Sequence, residues 1–112
     1  MSGCIFCQII AGERPAALLY EDDRCVAFED VNPKAPVHVL VVPRKHIPTL
    51  QDGSEEDEGL LGHLMRVSSQ VAGEKGVGSF RTVINTNSEA GQTIYHLHVH
   101  VLGGRAMRWP PG

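Results

Sequence analysis

The sequence predicts an α+β fold in which one five-stranded antiparallel sheet packs with one short and one long helix. Short segments rich in β-branched and aromatic residues recur along the chain, and several neighbours are joined by short loops, which favours antiparallel pairing. Apolar residues at helical spacing occur in one short and one long stretch. The length of 112 residues suits one core, and the chain contains no internal repeat or linker, so we expect residues 1–112 to form a single domain.

From the N-terminus, the first predicted element is a short helix over IFCQIIA, residues 5–11, which Gly12 ends. The segments ALLYED and CVAFED follow as a hairpin of two strands joined by a tight turn. Asn32-Pro33 then enforces a loop. The run VHVLVVP after it is mostly apolar and ends at Pro43, so we expect this strand to lie inside the sheet and not at an edge.

The second half of the chain begins with the acidic segment QDGSEEDEG, in which Ser54 and Asp57 are typical of a capping pair at the solvated start of a helix. The long helix is expected to run to about Gly76, because apolar residues recur there with a period of 3.6. This stripe consists of Leu60, Leu61, Leu64, Val67 and Val71. The segments FRTVIN and IYHLHVHVL are predicted as the last two strands, with the polar loop NSEAGQ between them.

Composition and charge exclude several classes of function. The formal net charge is −3 and the pI about 6.0, so the chain has no overall positive field that would bind a nucleic acid polymer. No apolar run reaches the roughly 18 residues that span a membrane, so we expect no membrane partner. The start MSGCIFCQII lacks the charged-then-apolar layout of a secretory signal, and we therefore expect a cytoplasmic protein.

The cysteines fall into two kinds of environment. Cys4 and Cys7 are spaced C-x-x-C, which in a cytoplasmic chain indicates metal binding or redox chemistry before a structural disulfide. Cys25, within CVAF, is typical of a small buried hydrophobe on a strand. Only the first pair is therefore a candidate site.

Three of the six histidines, His96, His98 and His100, alternate with apolar residues in the last predicted strand. Because side chains alternate across a strand, the imidazoles would line one face at a spacing of about 6.7 Å. The apolar residues between them would fix the register against the core. Such a row suits a solvated face, a metal site, a nucleophile with flanking helpers, or a phosphate-binding surface.

The residues around this row favour a nucleophile that attacks phosphorus. Gly91 before the strand and Gly103-Gly104 after it would let backbone N–H groups approach an anion, although ordinary turns also use glycine. Asn85 would offer an uncharged hydrogen-bonding side chain, or form part of a turn. Asp30 would accept hydrogen bonds from the two hydroxyls of a ribose, or cap the turn before the Asn-Pro loop.

The segment HLHVHVL, residues 96–102, resembles the signature of the histidine-triad (HIT) nucleotide-binding proteins. The segments YEDDRCVAFEDVNPKAPVHVLVVPRKHI, LLGHLM and YHLHVHVLGGRAMRWPPG resemble the Hint branch of that family and span most of the chain. The resemblance implies a HIT domain over residues 1–112. It also implies a purine-nucleoside phosphoramidase, an enzyme that hydrolyses adenosine 5′-monophosphate amides such as AMP-NH2 or an AMP-lysine conjugate.

By this resemblance, His98 is the nucleophile and becomes transiently adenylylated. His100 would bind the phosphate oxygens, His38 would support the histidine relay, and His96 completes the triad. The implied phosphate and leaving-group contacts are Asn85, the backbone near Gly91 and Gln92, and Thr93; the ribose contact is Asp30, and the base slot is Ile5, Phe6, Ile9, Phe28 and Val31. Plain core packing would also explain the apolar members of this set. Thr93 stands where the branch often has serine, and its extra methyl group bears on which amine is preferred.

Some bacterial relatives in the wider family carry a cysteine pair and bind zinc. The resemblance implies that Cys4, Cys7, His46 and His96 would form such a site here, a closed tetrahedral set of the structural kind. No organic cofactor is implied. Alternatively, the two cysteines pack on the first helix and His46 lies on the surface. His63 is expected to be an ordinary half-buried residue of the long helix.

The resemblance further implies a two-fold homodimer in which the sheets join and the C-terminal tail reaches the partner's site. The tail RAMRWPPG contains Trp109, the only tryptophan, which would line the amine side of that site. Trp is a favoured anchor at interfaces. The tail would otherwise fold back on its own core.

Other functions compete with a phosphoramidase. A dinucleoside polyphosphate hydrolase of the Fhit type uses the same triad, but the WPPG ending favours Hint. A nucleotide-binding interaction module with incidental hydrolysis stays open. A zinc hydrolase that uses all the triad histidines as ligands is disfavoured, because no acidic residue nearby is placed as a base.

Overall fold

The computed structural model describes residues 3–112 and confirms the predicted fold class, a five-stranded antiparallel sheet with one short and one long helix. In chain order the elements are helix α1 (Ile5–Ile10), strands β1 (Leu18–Glu21), β2 (Cys25–Glu29) and β3 (Val37–Pro43), helix α2 (Glu58–Glu74), and strands β4 (Phe80–Val83) and β5 (Val99–Gly103). Short 3-10 turns at Leu50–Asp52, Glu55–Asp57 and Ser88–Ala90 lie in the connections. Neither helix among the described residues is long and apolar enough to cross a membrane.

Strand β3 lies at the centre of the sheet, whose strand order is β1-β2-β3-β5-β4. The predicted interior position of VHVLVVP is confirmed, because β3 pairs with β2 and β5 and is buried from His38 to Pro43. In the β3–β5 register, Leu40 lies opposite His100 and His38 opposite Leu102. His38 and His100 therefore project from the same face of the sheet.

Helices cover both faces of the sheet. The core under α2 contains Leu64, Val67, Val71, Val39, Val41, Val99 and Val101. The core under α1 contains Phe6, Val26, Phe28, Leu40 and Val42. Cys25 is fully buried on the α2 side, as predicted for a small hydrophobe on a strand.

The predicted capping pair lies in the turn that leads into α2. The Ser54 side chain accepts from the N–H of Glu56, and Asp57 Oδ2 accepts from the N–H of Ser54 at 3.0 Å. The start of the helix is less solvated than predicted, because Asp57 is buried and pairs with Lys45 Nζ at 2.7 Å. This ion pair ties the helix start to the loop after β3.

Strand β5 is shorter than predicted, since it begins at Val99 and not at residue 94. The β3–β5 pairing ends at Val41 and Val99, and before that point the N–H of Leu97 bonds to the carbonyl of Ile47 at 2.7 Å. The histidines still lie on the face opposite Leu97 and Val99, but helix α1 covers part of that face. His96 is fully buried and His98 is 8% exposed, because α1 packs over them.

Candidate active site and metal cluster

A cavity of about 580 Å³ opens between α1 and the strands β2, β3 and β5. Small-ligand pockets have volumes of about 300–1,000 Å³, so this cavity has a suitable size. His38, His98 and His100 line it, together with Asp30 and Thr93. A groove of about 670 Å³ between β1 and α2 contains none of these side chains, so the first cavity is the candidate active site.

The hydrogen bond of His98 fixes which ring nitrogen is free. Nδ1 of His98 lies 2.7 Å from the backbone carbonyl oxygen of His96. A carbonyl oxygen only accepts, so Nδ1 carries the proton and Nε2 of the neutral ring has a lone pair. Burial lowers the pKa of His98 below its ordinary value and favours the neutral ring. The ring that lines the cavity thus carries the unprotonated nitrogen that a nucleophile needs.

The neutral ring of His100 carries its proton on Nε2, the opposite nitrogen from the one that is protonated in His98. The backbone N–H of Lys34 donates to Nδ1 of His38 at 2.9 Å, so the proton of the neutral His38 ring is on Nε2. That nitrogen lies 3.0 Å from Nδ1 of His100 and donates to it. The proton of His100 is therefore on Nε2, which makes it a hydrogen-bond donor beside His98, whose ring centroid is 4.9 Å away.

Burial, together with the neighbouring His98 and His38 rings, lowers the pKa of His100 to about 4. Burial also lowers the pKa of His38, where Asp30 acts in the opposite direction. At neutral pH the cavity therefore contains neutral imidazoles with defined donor and acceptor atoms. These imidazoles would stabilise charge on a bound group through directed hydrogen bonds and not through a positive charge of their own.

Asp30 forms the turn cap that its sequence context predicted, and it also lines the cavity. Its Oδ1 accepts from the N–H of Asn32 at 2.8 Å, which is a turn cap. Its Oδ2 lies 3.4 Å from Nε2 of His38, and the residue lines the cavity. One carboxylate oxygen is thus committed to the turn, and the other is at the edge of the candidate site.

The apolar residues predicted for the base slot all line the cavity: Ile5, Phe6, Ile9, Phe28 and Val31. Phe6 and Phe28 also belong to the core under α1, and their ring centroids are 5.4 Å apart in an edge-to-face contact. Val31 is 98% exposed at the rim. Core packing and cavity lining are therefore combined in the two phenylalanines.

Three of the predicted contact residues lie in the connection before β5, and one of them lines the cavity. Thr93 lines the cavity directly, whereas Asn85 and Gly91 do not. Gly91 has a φ of +102°, a conformation that favours glycine, and a Cβ atom at this position would lie 3.7 Å from Nδ2 of Asn85. Asn85 and Gly91 are therefore neighbours of each other outside the cavity lining.

Gln92, which was predicted as a phosphate contact, has its side chain bound within the protein. It is 3% exposed, and its Oε1 accepts from the N–H of Asn87 at 2.8 Å. Its Nε2 donates to the carbonyl oxygens of Pro48 and Ile94, at 2.8 and 3.1 Å. The side chain holds the loop in place, and the backbone N–H of Gln92 is also occupied, since it donates to the carbonyl of Asn87 at 3.1 Å.

Trp109 does not fold back on the core of its own chain. Its side chain is 81% exposed, and its main contact is the guanidinium of Arg81, whose Cζ lies 5.8 Å from the ring centroid. The same guanidinium donates to the carbonyl of Arg108 at 2.9 Å. Trp109 is absent from the lining of the cavity in its own chain.

The four residues predicted as metal ligands, Cys4, Cys7, His46 and His96, form one cluster whose ligand atoms lie within 4.8 Å of one another. The two Nδ1 atoms are 3.1 Å apart. Cys7 Sγ lies 3.3 Å from Nδ1 of His46, and Cys4 Sγ lies 3.4 Å from Nδ1 of His96. Zinc bonds of about 2.0–2.3 Å in a tetrahedron put ligand atoms about 3.3–3.8 Å apart. The cluster therefore fits a tetrahedral zinc ion.

Both ring nitrogens of His96 point away from the candidate active site. Nε2 lies 2.8 Å from the carbonyl oxygen of Pro43 and donates to it, so Nδ1 presents its lone pair to the cysteines. A hydrogen bond from the second nitrogen to a carbonyl is the usual support of a metal-binding histidine. Although His96 was predicted both as part of the triad and as a metal ligand, its ring is available only to the cluster.

A further group of potential ligands, Asp22, Cys25 and His63, has a structural explanation. His63 Nε2 donates to Asp22 Oδ2 at 2.6 Å, and Asp22 Oδ1 accepts from the N–H groups of Arg24 and Cys25. Burial raises the pKa of the Cys25 thiol to about 12. The half-buried His63 thus clamps α2 to the β1–β2 hairpin.

Several contributions to the site were not predicted from the sequence, among them one apolar side chain and two backbone groups. Leu40 lines the cavity, the N–H of Lys34 orients His38, and the carbonyl of Pro43 orients His96. The last two are backbone groups, which every residue type carries, so residue identity gave no signal for them. The alternation in VHVLVVP places Leu40 on the same face as His38, and this was the available signal for Leu40.

Comparison with known proteins places these features in one family. The family model "Scavenger mRNA decapping enzyme C-term binding" matches residues 3–108. An uncharacterized HIT-like protein of Synechocystis sp. is 56% identical over 109 residues, which are 96% of each chain. The crystal structure of a HIT family hydrolase from Legionella pneumophila is 44% identical, with a TM-score of 0.95 over 97% of this chain and 99% of that one.

The crystal structure of a Zn-bound histidine triad family protein from Mycobacterium smegmatis is 31% identical, with a TM-score of 0.79, and the match covers 91% of this chain and 75% of that one. The matches to these proteins cover 91% or more of this chain. This chain belongs to the histidine-triad (HIT) family.

Proposed function

We propose that this protein is a hydrolase of purine-nucleoside 5′-phosphoramidates, which cleaves the P–N bond of adenosine 5′-monophosphate amides and belongs to the Hint branch. The observation that carries the proposal is the pair of opposite tautomers in the cavity. His98 has its lone pair on Nε2, while His100 has its proton on Nε2, and the two rings are in edge contact. A nucleophile and a donor for phosphate oxygens are thus adjacent.

The reaction has two displacements. In the first, Nε2 of His98 attacks phosphorus, the P–N bond breaks, and the amine takes up a proton as it leaves. Nε2–H of His100 donates to a phosphate oxygen, where negative charge increases. In the second, water attacks the nucleotidyl-histidine, which releases AMP and restores the ring. The sum is one amide and one water converted to AMP and one amine.

The rest of the cavity supports a nucleoside on the other side of phosphorus. The edge-to-face pair Phe6 and Phe28 provides an apolar wall for a purine, and Ile5, Ile9 and Val31 extend it. The outer oxygen of Asp30 would accept hydrogen bonds from the ribose hydroxyls. Thr93, which lines the cavity, would contact the leaving amine.

A direct experiment compares two substrate classes. Hydrolysis of a fluorogenic AMP amide should exceed hydrolysis of diadenosine polyphosphate, which has no P–N bond and is the substrate of a Fhit-type enzyme. Mass spectrometry after brief mixing should detect an adenylyl group on the peptide that contains His98. Preference for diadenosine polyphosphate would instead favour the Fhit-type reaction. Nucleotide binding with no turnover of either substrate would favour an interaction module.

We also propose that the cluster of Cys4, Cys7, His46 and His96 binds one structural zinc ion. The ligand set is closed, with four protein ligands and no position for substrate, which is typical of structural sites. None of the four cluster residues lines the cavity, although helix α1 contributes residues to both sites. Zinc would therefore stabilise the fold and take no part in the displacement itself.

A two-fold homodimer is the proposed assembly. The edge strand β4 exposes Phe80 at 37%, and helix α2 exposes Met65 at 39%. An unpaired edge strand with apolar neighbours is a natural surface for joining two sheets. Sedimentation of the wild type should give a dimer at micromolar concentration. Phe80→Lys should shift the equilibrium between dimer and monomer toward the monomer. A monomeric wild type would contradict this assembly.

A further inference from the structure

Helix α1 connects the metal cluster to the residue proposed as the nucleophile. Cys4 caps the helix, with its Sγ accepting from the N–H of Cys7 at 3.4 Å, and both thiols face the cluster. Between them, Phe6 points to the sheet and is 3% exposed. Its ring centroid lies 5.1 Å from that of His98 and 5.8 Å from that of His96, both in edge-to-face contacts. Cys4 and Cys7 therefore flank Phe6, whose ring packs against the ring of His98, the proposed nucleophile.

His96 connects the same two sites through its backbone. Its ring belongs to the cluster, with Nδ1 at 3.1 Å from Nδ1 of His46, while its carbonyl oxygen accepts the Nδ1–H of His98 at 2.7 Å. The position of that carbonyl decides whether Nε2 of His98 is free for attack. One residue therefore couples ligand geometry in the cluster to the tautomer in the cavity.

The sheet does not fix this carbonyl by itself. The β3–β5 pairing ends at Val99, three residues after His96, so residue 96 is outside the ladder. Its local supports are the bond from the Leu97 N–H to Ile47 and the bond from the His96 ring to Pro43. The cluster supplies the remaining constraint, because it attaches the His96 ring to α1 and to the loop after β3.

We propose that the four-residue cluster positions the nucleophile, with Phe6 and the His96 carbonyl as the positioning groups through which it acts. A bound zinc ion would fix the cluster and thereby hold His98 in its Nδ1–H tautomer with Nε2 toward the cavity. The structural part of this inference stands on the contacts of Phe6 and His96, whereas the bound zinc ion and the effect on turnover rest on the proposed function. Outer-sphere partners of this kind typically contribute about 10–100-fold to activity.

The test uses full-length protein labelled with 15N in its histidine rings, in the zinc-loaded form and after chelation. In the zinc-loaded protein, His98 should show a single tautomer with the proton on Nδ1. After chelation, and in Cys4→Ser/Cys7→Ser, its signals should shift toward a mixture of tautomers. Cys25→Ala is the matched control, because it removes a thiol outside the cluster, and its His98 signals should follow the wild type. An unchanged His98 tautomer in the metal-free protein overturns the proposal.

Two further variants test the metal cluster and the Phe6 contact separately. His46→Gln removes the exposed ligand and is used if the double cysteine variant fails to fold; it should also broaden the tautomer distribution. Phe6→Leu should keep its zinc by elemental analysis but loosen His98, so that kcat falls about 10–100-fold. Normal kcat and a single tautomer in Phe6→Leu would remove Phe6 from the positioning groups. If zinc-loaded wild type turns over no amide, the proposed function fails, while the tautomer measurement still decides the coupling.

Discussion

Nε2 of His38 lies 3.0 Å from Nδ1 of His100, although 62 residues separate them in the chain. The distance follows from the β3–β5 register, in which His38 lies opposite Leu102 and Leu40 opposite His100, so that the two rings are diagonal neighbours on one face. Because the N–H of Lys34 occupies the other nitrogen of His38, the hydrogen bond has only one direction between neutral rings. The register of the sheet therefore determines where the proton of His100 is.

His98→Ala should abolish turnover of AMP amides and leave AMP binding largely intact. The nucleophilic nitrogen and the groups that line the base and ribose positions are separate, so removing the ring removes the bond-forming atom only. Loss of a nucleophile typically reduces kcat by several orders of magnitude. The measurement is kcat with a fluorogenic amide, with AMP affinity from calorimetry.

The control for this variant is His63→Gln, since His63 clamps α2 to the β1–β2 hairpin and lies outside the cavity. It should keep wild-type kcat at a temperature where both proteins are folded. Substantial residual hydrolysis in His98→Ala would remove His98 from the role of nucleophile.

His100 should stay neutral well below the ordinary histidine pKa of 6.5, because its pKa in the folded protein is about 4. The unfolded chain then binds more protons between about pH 4 and 6.5. The stability that the neutral ring contributes is present above about pH 6.5 and is lost as the pH falls through this window. An NMR titration of the ring should give a midpoint near 4.

The matching stability measurement is urea unfolding of wild type and His100→Asn at pH 7 and 4.5. His98 and His38, whose pKa values burial also lowers, remain in both proteins, and so do Asp30 and Lys34 beside them. The free energy of unfolding should therefore depend less on pH in the variant. A ring midpoint at 6.5 or above would contradict the expected burial effect.

Purified protein should contain about one zinc per chain, and chelation should lower its melting temperature. The reason is that four ligands from the N-terminus, the loop after β3 and the segment before β5 would come together on one ion, so metal binding adds to folding free energy. Elemental analysis and thermal unfolding measure the two effects. Cys25→Ala should retain its zinc, whereas a protein that is equally stable without metal would rule out a structural role.

The sequence predicted the fold class and the shared face of the histidines, because alternation on a strand depends only on local geometry. It did not predict that helix α1 covers His96 and His98 on this face. Whether His96 and His98 are exposed depends on where α1 packs, and the apolar residues of IFCQIIA do not specify which face of the sheet they cover. The start of β5 depends on tertiary structure in the same way, since its pairing with β3 ends at Val99 opposite Val41, two residues before β3 itself ends at Pro43.

The candidate metal ligands could be assembled from the sequence only through family resemblance, because Cys4 and His96 are 92 residues apart. The tautomers could not be predicted at all. They depend on backbone groups such as the N–H of Lys34 and the carbonyls of Pro43 and His96, which every sequence has and which only tertiary packing brings to a ring nitrogen.

Trp109→Ala should change the preference among amine leaving groups more than it changes the affinity for AMP. Trp109 is 81% exposed in its own chain and is held at the surface by Arg81, on the edge strand β4 through which we propose that two sheets join. In such a dimer the tail would reach the partner's cavity on the side of Thr93, where the amine leaves. The measurement is the ratio of kcat/KM for two AMP amides, one with a small and one with an aromatic amine. Leu18→Ala, which changes an exposed apolar residue on the opposite edge strand, is the control and should leave this ratio unchanged. If Trp109→Ala also leaves the ratio unchanged while sedimentation still gives a dimer, the tail has no part in amine selection and Thr93 alone would account for it.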